Sequence, residues 1–176
     1  WDLFLGPAQM KPFSKNQFAY NWHWFWDTGD GDIGNQGVHE MDIARWGMDG
    51  VMWPKSAMST GGKFVYDDDQ QTPNTQIATF DYGDRQLQFE VRGLLTAPDG
   101  GLPVKAGNTV GNLFLGAEGW MWVDGDGYAF YKGESQEKLA EEKVRGKDAT
   151  VTAADLERAM LAGSLADTVP LALIGA

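Results

Sequence analysis

Short apolar runs separated by glycine-rich turns fill the middle of the chain, and they constrain its fold more than any other feature. The runs cover residues 63–66, 75–80, 87–92, 113–115, 120–123 and 128–131. Gly83-Asp84 separates two of them in a pattern that is a strong signal for a β-hairpin. The middle of the chain is therefore predicted to be a mostly antiparallel meander of short strands.

One helix is expected ahead of this sheet, beginning near Asn35 or Gly37, because glycines and an Asn precede apolar residues at helical spacing. His39, Asp42 and Trp46 then fall at i, i+3 and i+7, on one helical face. Histidine titrates near neutrality and a neighbouring carboxylate can orient it, so the pair can form a proton-transfer site. The structural alternative is a buried His39 that is bonded to Asp42 and braces the helix.

The composition changes from Glu134 onward, first to charged residues and then to Ala and Leu, with a helical pattern from Thr152 to about Leu165. We predict an α/β (α+β) fold with an open, mostly antiparallel mixed sheet and helices on one face. Residues 1–133 form its main domain. Residues 134–176 are predicted to be a helical tail that packs on this domain or extends it.

Composition excludes several classes of function. The chain has 176 residues, 43% of them hydrophobic, which suits one domain with a real core. A net charge of -11 argues against a nucleic-acid or anionic-membrane partner, because phosphate binding needs clustered Lys and Arg. The absence of cysteine excludes disulfides, thiolate nucleophiles and Cys-ligated zinc. The sequence shows no signal peptide and no membrane span, so we expect a soluble chain that is part of a longer protein. The sequence does not indicate its cellular compartment.

Aromatic residues are concentrated near the start of the chain, which has eight tryptophans in all. Phe18, Tyr20, Trp22, Trp24 and Trp26 alternate with other residues, a pattern that predicts a strand or an extended, heavily packed segment. Aromatic platforms stack on sugar rings, and they also fill cores and dimer interfaces. The acidic loop over residues 27–32 lacks the final Glu of a calcium-binding EF-hand loop.

Five segments of the chain resemble segments of one protein family, in the same order along the sequence. They are residues 1–8, Asn21-Trp22-His23-Trp24-Phe25-Trp26, Gly34-Asn35-Gln36-Gly37-Val38-His39-Glu40-Met41-Asp42-Ile43-Ala44-Arg45-Trp46, residues 68–76 and residues 89–94. The chain to about Val123 resembles the C-terminal domain of the glucose-fructose oxidoreductase, inositol dehydrogenase and MocA (Gfo/Idh/MocA) family. The resemblance implies an α/β domain that follows a Rossmann domain, acts on sugars or polyols, and forms a homodimer through its open sheet.

The resemblance also implies site residues. A family motif of the form Asp-x-Gly-x-His-x-x-Asp makes His39 the general base and Asp42 its helix neighbour, while Asn35 replaces the first acid of the motif. An amide cannot accept that proton, but Asn35 can hold a substrate hydroxyl or orient the imidazole. The other residues expected to contact a sugar are Tyr20, Trp22, His23 and Arg92.

No cofactor is predicted for this chain. The family's glycine-rich turn after a strand is missing, and residues 29–34 fit its spacing only with acidic residues that would repel a pyrophosphate. NAD(P) is implied only for full-length family members.

Three hypotheses remain. The first is a sugar- or polyol-binding catalytic domain derived from an NAD(P)-dependent oxidoreductase but without its nucleotide-binding domain. The second is a stand-alone, nicotinamide-independent lyase or hydrolase acting on glycosides, in which a divalent metal can be held by His23, His39 and Asp42. The third is a structural dimerisation module. If the chain is active alone, we expect a carbohydrate lyase or hydrolase rather than a dehydrogenase.

Overall fold

The computed structural model describes residues 1–48, 50, 52–65, 67–94, 104–105, 108–133 and 137–143. The chain begins with α1 (Asp2–Leu5), a 3₁₀ helix (Asn21–Trp24) and α2 (Gln36–Trp46). The strands follow: β1 (Ser56–Gly62), β2 (Thr75–Asp81), β3 (Gln86–Arg92), β4 (Val104–Lys105), β5 (Asn108–Thr109), β6 (Asn112–Leu115), β7 (Gly119–Asp124), β8 (Gly127–Lys132) and β9 (Lys138–Lys143). Within these residues, no helix has the length and apolar character needed to cross a membrane.

All the described strand pairs are antiparallel, and every pair joins two strands that are consecutive along the chain. Strands β1-β2-β3 form a first sheet, β6-β7-β8-β9 form a second sheet, and β4 and β5 form a separate pair. The predicted mixed fold with a largely antiparallel sheet is confirmed. The strands are divided between separate sheets, a division that strand patterns alone do not reveal.

The predicted hairpin at Gly83-Asp84 is confirmed, and it joins β2 to β3. Gly83 has a φ of 101°, in the left-handed region that favours glycine. Its N–H donates to Asp81 Oδ1 at 2.7 Å, and Tyr82 N–H donates to the Arg85 carbonyl at 2.9 Å. The turn therefore satisfies its own backbone groups.

The predicted strand over residues 63–66 is wrong at its described residues, 63–65, because β1 lies just before them and ends at Gly62. Beyond Gly62 the side chain of Asn74 makes the hydrogen bonds to the backbone that a neighbouring strand would otherwise make. Its Nδ2 donates to the Phe64 carbonyl at 2.8 Å, and its Oδ1 accepts the Phe64 N–H at 3.0 Å. The small residues of β1 carry no alternating pattern, so its pairing with β2 determines its structure.

Within the predicted C-terminal tail, the structure describes residues 137–143, and strand β9 lies among them. The charged segment of β9 pairs with β8 across a register shift at Phe130 and Tyr131. The predicted helix over residues 152–165 lies outside the described residues.

Helix α2 packs against both sheets through a stripe of small residues, Gly37, Ala44 and Gly47. Ala44 joins a cluster of Ala78, Leu87, Phe89, Val91, Tyr82 and Met48 that covers the inner face of the first sheet. Ile43 packs against a second cluster of Phe114, Met121, Val123, Tyr128 and Phe130 on the second sheet. The core therefore consists of two apolar clusters joined by one helix.

We predict that Gly37→Ala destabilises the protein. A Cβ at Gly37 would lie 2.7 Å from Cζ of Phe89, a ring that is fully buried. Overpacking costs about 1–3 kcal/mol, more than the gain of up to about 1 kcal/mol that alanine brings to a helix. Urea unfolding should show a net loss of about 1 kcal/mol.

The matched control is Gly125→Ala, in the turn between β7 and β8. A Cβ at this position would meet nothing within 4 Å, so we expect a change below about 0.5 kcal/mol. Equal stability of the two variants would contradict the close packing of α2 on Phe89.

Candidate functional site

The aromatic segment is not the predicted strand. Ala19 has a φ of 70° and turns the chain into the 3₁₀ helix over Asn21–Trp24. The His23 carbonyl accepts the Gly31 N–H at 2.8 Å, and the Trp24 carbonyl accepts the Gln71 N–H at 2.9 Å. Two loops therefore supply the hydrogen bonds that a neighbouring strand would have supplied.

The 3₁₀ helix sends two tryptophans into different clefts. Residues three apart in such a helix lie above one another, so Asn21 and Trp24 share one side. They line a cleft of about 320 Å³, here called the Trp24 cleft. Trp22 points elsewhere, into a second cleft. The described residues that line the Trp24 cleft are Asn16, Asn21, Trp24, Phe25, Asp68, Asp69 and Gln70.

Amides and carboxylates alternate along the polar wall of the Trp24 cleft. Asn16 Nδ2 donates to Asp69 Oδ2 at 2.5 Å, and Asn21 Nδ2 donates to Asn16 Oδ1 at 3.4 Å. Asp68 forms an ion pair of 2.7 Å with Lys63, and the hydrogen bond from Lys63 lowers the pKa of Asp68. The wall thus offers ionised acceptors and amide donors beside the rings of Trp24 and Phe25.

The second cleft, here called the N-terminal cleft, is more apolar. Its polar groups come from Asp27 and Thr28, and Lys11 Nζ lies 2.6 Å from Asp27 Oδ2. The hydrogen bond from Lys11 lowers the pKa of Asp27, and the Thr28 hydroxyl donates to the Trp22 carbonyl at 2.9 Å. Both polar groups are therefore already engaged within the protein. In the part of the chain that the structure describes, its lining is Phe4, Leu5, Pro7, Ala8, Trp22, Asp27 and Thr28.

Tyr20, Trp22 and His23, three of the residues predicted to contact substrate, form one aromatic cluster in which His23 stacks on Trp22 and Tyr20 is tilted against His23. The His23 ring lies 3.7 Å from the Trp22 ring at an interplanar angle of 21°, and 4.8 Å from the Tyr20 ring. His23 Nδ1 lies 2.5 Å from the Tyr20 carbonyl, which can only accept, so Nδ1 carries the proton. In the neutral ring, Nε2 is then the nitrogen that can accept a proton.

Asp32, in the acidic loop, lies beside this cluster. Trp24 Nε1 donates to Asp32 Oδ1 at 3.1 Å. Burial raises the pKa of Asp32, while the Trp24 hydrogen bond and the charge of His23 act in the opposite direction. The residue is half-buried. An acid perturbed in this way next to a cleft residue is a candidate functional group.

His39 and Asp42 lie on the exposed face of α2, one helical turn apart, and Trp46 on the same face is 42% exposed. Neither His39 nor Asp42 makes a side-chain hydrogen bond to any residue that the structure describes. The alternative of a buried helix brace is therefore wrong. Asn35 is the N-cap residue of α2, without a capping hydrogen bond from its side chain. Catalytic roles for His39 and Asp42 stay predictions.

Arg92 lies on a different face of the molecule. In β3, Phe89 and Val91 point toward α2, so the alternating residues Glu90 and Arg92 point to the outer face of the first sheet. Arg92 Nε lies 2.6 Å from Glu90 Oε1. The first sheet therefore separates Arg92 from α2, which carries His39.

No group of three or more His, Cys, Asp or Glu side chains that could hold a metal ion occurs in the part of the chain described by the structure. His23, His39 and Asp42 do not come together as such a set. We therefore do not assign His39 or Asp42 as a metal ligand.

Sequence patterns missed two groups of residues. Asp68, Asp69 and Gln70 line the Trp24 cleft. The sequence pattern that could have indicated them is a polar run before a proline and a predicted strand. Glu40 is buried at 7% exposure. The sequence pattern that could have indicated this burial is a stripe of small residues at helical spacing. Gly37, Ala44 and Gly47 lie on one helix face, and Glu40 lies on the same face.

We predict that His39→Ala leaves the stability nearly unchanged. The side chain is exposed and makes no hydrogen bond within the described residues, and substitutions of this kind change stability by less than about 0.5 kcal/mol. Urea unfolding at neutral pH measures the change. A loss of several times this size would mean that His39 makes a buried contact.

The sequence was also compared with known proteins. No protein-family model matches it, and no curated protein matches it either. The functional proposals for this chain accordingly depend on the geometry of the Trp24 cleft, of α2 and of the two sheets.

Proposed function

We propose that this chain is a sugar- or polyol-binding domain that holds its ligand in the Trp24 cleft. The observation that carries the proposal is the lining of this cleft, in which Trp24 and Phe25 lie beside the amides and carboxylates of Asn16, Asn21 and Asp69. The resemblance to the C-terminal domain of the Gfo/Idh/MocA family points to the same class of ligand.

The chemistry of the lining suits a polyhydroxylated ring. The apolar C–H face of a sugar packs on an indole ring, while each hydroxyl group needs both an acceptor and a donor. Asp69 supplies acceptors, and the side chains of Asn16 and Asn21 supply both kinds of group. The hydrogen bond from Asn16 to Asp69 holds these two groups in place before a ligand enters.

The size of the cleft limits the ligand. Its volume of about 320 Å³ is at the lower end of the range of about 300–1,000 Å³ for ligand pockets. One sugar or cyclic polyol ring fits this space better than an oligosaccharide. The carboxylates of Asp68 and Asp69 also disfavour a phosphorylated sugar, because the nearby Lys63 is already paired with Asp68.

A proton-transfer role for His39 is a separate prediction, because His39 is not among the described residues that line the Trp24 cleft. His39 and Asp42 are exposed one turn apart on α2, so a substrate or a further domain can reach both side chains. In this role His39 takes a hydroxyl proton, Asp42 orients the ring, and Asn35 contacts the substrate. The hypothesis of a stand-alone lyase or hydrolase would use the same residues.

Homodimerisation is a second candidate function, supported by the outer face of the second sheet. Side chains that alternate with the core residues of this sheet point away from α2. They are mainly apolar, and the rings of Trp120 and Tyr131 stack at 4.1 Å with an interplanar angle of 10°. The outer face of the first sheet is polar by comparison. The outward residues of the second sheet include Leu115, Trp120, Trp122 and Tyr131, which are half-buried, and Leu113 and Ala129, which are already buried beneath their neighbours.

We predict that the chain binds a monosaccharide or cyclitol weakly and that Asp69→Ala weakens this binding. A ligand of this size gains about 0.3 kcal/mol or more per non-hydrogen atom, which gives a Kd of the order of 1 mM. A hydrogen bond to a charged group contributes about 1.5–3 kcal/mol, so its loss should raise Kd about tenfold or more. Saturation-transfer NMR with D-glucose and myo-inositol measures both values.

Asp67→Ala is the matched control, since Asp67 is exposed on the same loop but does not line the cleft. It should leave the Kd unchanged. Equal binding by the two variants would place the ligand elsewhere. The absence of binding by the wild-type chain to either probe would contradict the proposal.

We predict that the wild-type chain is a dimer at micromolar concentration and that Trp122→Lys dissociates it. Trp122 pairs with Leu113 and Ala129 at the centre of the outer face. A tryptophan at the centre of an interface contributes about 2 kcal/mol or more, so the dimer Kd should rise at least about thirtyfold. Light scattering after size-exclusion chromatography measures the mass.

The matched control for this test is Gln88→Lys, on the outer face of the first sheet. It should leave the dimer intact. A monomeric wild-type chain, or a dimer broken by Gln88→Lys alone, would argue against the second sheet as the interface.

A further inference from the structure

Glu40 is a buried acid at the contact between α2 and the second sheet. It is 7% exposed, and each of its carboxylate oxygens accepts one hydrogen bond from an amide. Gln36 Nε2 donates at 2.7 Å and Asn112 Nδ2 donates at 2.9 Å. No Lys, Arg or His among the described residues lies within ion-pair distance of Glu40. Buried carboxylates are rare in proteins unless such a cation pairs with them.

The charged groups around Glu40 come from two elements. Asp124 at the end of β7 is 5% exposed, and its negative charge disfavours a second negative charge on Glu40. Asp124 Oδ1 accepts the N–H groups of Asp126 at 2.8 Å and Gly127 at 3.1 Å, which keeps this carboxylate at the turn. The adjacent His39 favours ionisation of Glu40 when its ring is charged, but it lies on the exposed face of α2.

Asn112 of β6 depends on Glu40 for its side-chain hydrogen bonding. Its side chain is fully buried, and its Oδ1 has no hydrogen-bond partner among the residues that the structure describes. Its Nδ2 donates to Glu40 Oε2 at 2.9 Å. The contact between α2 and β6 therefore contains a buried acid and an amide whose Oδ1 is unsatisfied within the described residues, and such an unsatisfied group destabilises the folded state.

From this geometry we propose that Glu40 is a pH-sensitive latch between α2 and the second sheet. Protonated Glu40 is uncharged and is readily buried between α2 and β6. Ionised Glu40 places an unpaired charge beside Asp124 and weakens this contact. Since α2 carries Asn35, His39 and Asp42, loosening the latch changes the position of the candidate proton-transfer residues relative to the second sheet.

The direction of the pH dependence follows from the burial. Burial is the largest cause that raises the pKa of Glu40 above its ordinary value of 4.5, and the charge of Asp124 adds to it. The hydrogen bonds from Gln36 and Asn112 and the charge of His39 act the other way. An acid whose pKa is higher in the folded state stabilises folding below its unfolded pKa. This stability is lost as pH rises through the folded pKa.

We predict that Glu40→Gln removes this pH dependence. The carboxamide keeps the size of the side chain and can accept the Asn112 hydrogen bond. Gln36 is half-buried, so its amide can rotate and accept from the new NH₂ group. Urea unfolding from about pH 4 to about pH 8 measures the ratio of wild-type to variant unfolding constants. This ratio should rise with pH, about tenfold for every pH unit between the unfolded and folded pKa values of Glu40.

Asp42→Asn is the matched control, because it removes an exposed carboxylate from the same helix. Its unfolding constant should keep a nearly constant ratio to that of the wild-type chain. A constant ratio for Glu40→Gln as well would overturn the proposal. A second measurement needs no variant: carboxyl ¹³C NMR of Glu40 in the wild-type chain should titrate above pH 4.5, and titration at or below this value would overturn the latch.

Discussion

The close approach of α2 to both sheets is the contact on which the rest of the structure depends. Gly37 lies against the Phe89 ring of the first sheet, and Gly47 lies against the Phe114 ring of the second sheet. Only glycine permits these two approaches, because a Cβ at either position would overlap a buried ring. One helix of moderate length thereby joins two apolar clusters, and the same helix presents His39 and Asp42 on its opposite face.

Much of the fold could be predicted from the sequence wherever a local pattern coincided with burial. Strands β2, β3, β6, β7 and β8 contain apolar or aromatic runs bounded by turn residues, and α2 begins where its glycines and Asn35 indicated. Strands β1 and β9 have small or charged residues and no such pattern. Pairing with β2 and with β8 determines their structure, and tertiary pairing of this kind leaves no local signal.

The candidate site was harder to predict than the fold, for a similar reason. The alternation of Tyr20, Trp22, Trp24 and Trp26 has the period of a strand, but Ala19 and the loop hydrogen bonds produce a 3₁₀ helix instead. Trp22 and Trp24 therefore point into different clefts, whereas in a strand they would have pointed to the same face. The burial of Glu40 beside Asn112 likewise joins residues 72 positions apart, a contact that no local motif encodes.

The construction of the Trp24 cleft has a consequence for the order in which the protein acquires function. Its two walls come from the aromatic segment and from the loop before β2, and Asn16 and Asp69 meet across 53 positions of sequence. Contacts between such distant positions close long loops and form slowly during folding. During synthesis, the aromatic segment leaves the ribosome well before its partner loop. Its rings therefore remain available to other apolar surfaces until Asp69 has been synthesised, and transiently exposed apolar surface of this kind promotes aggregation.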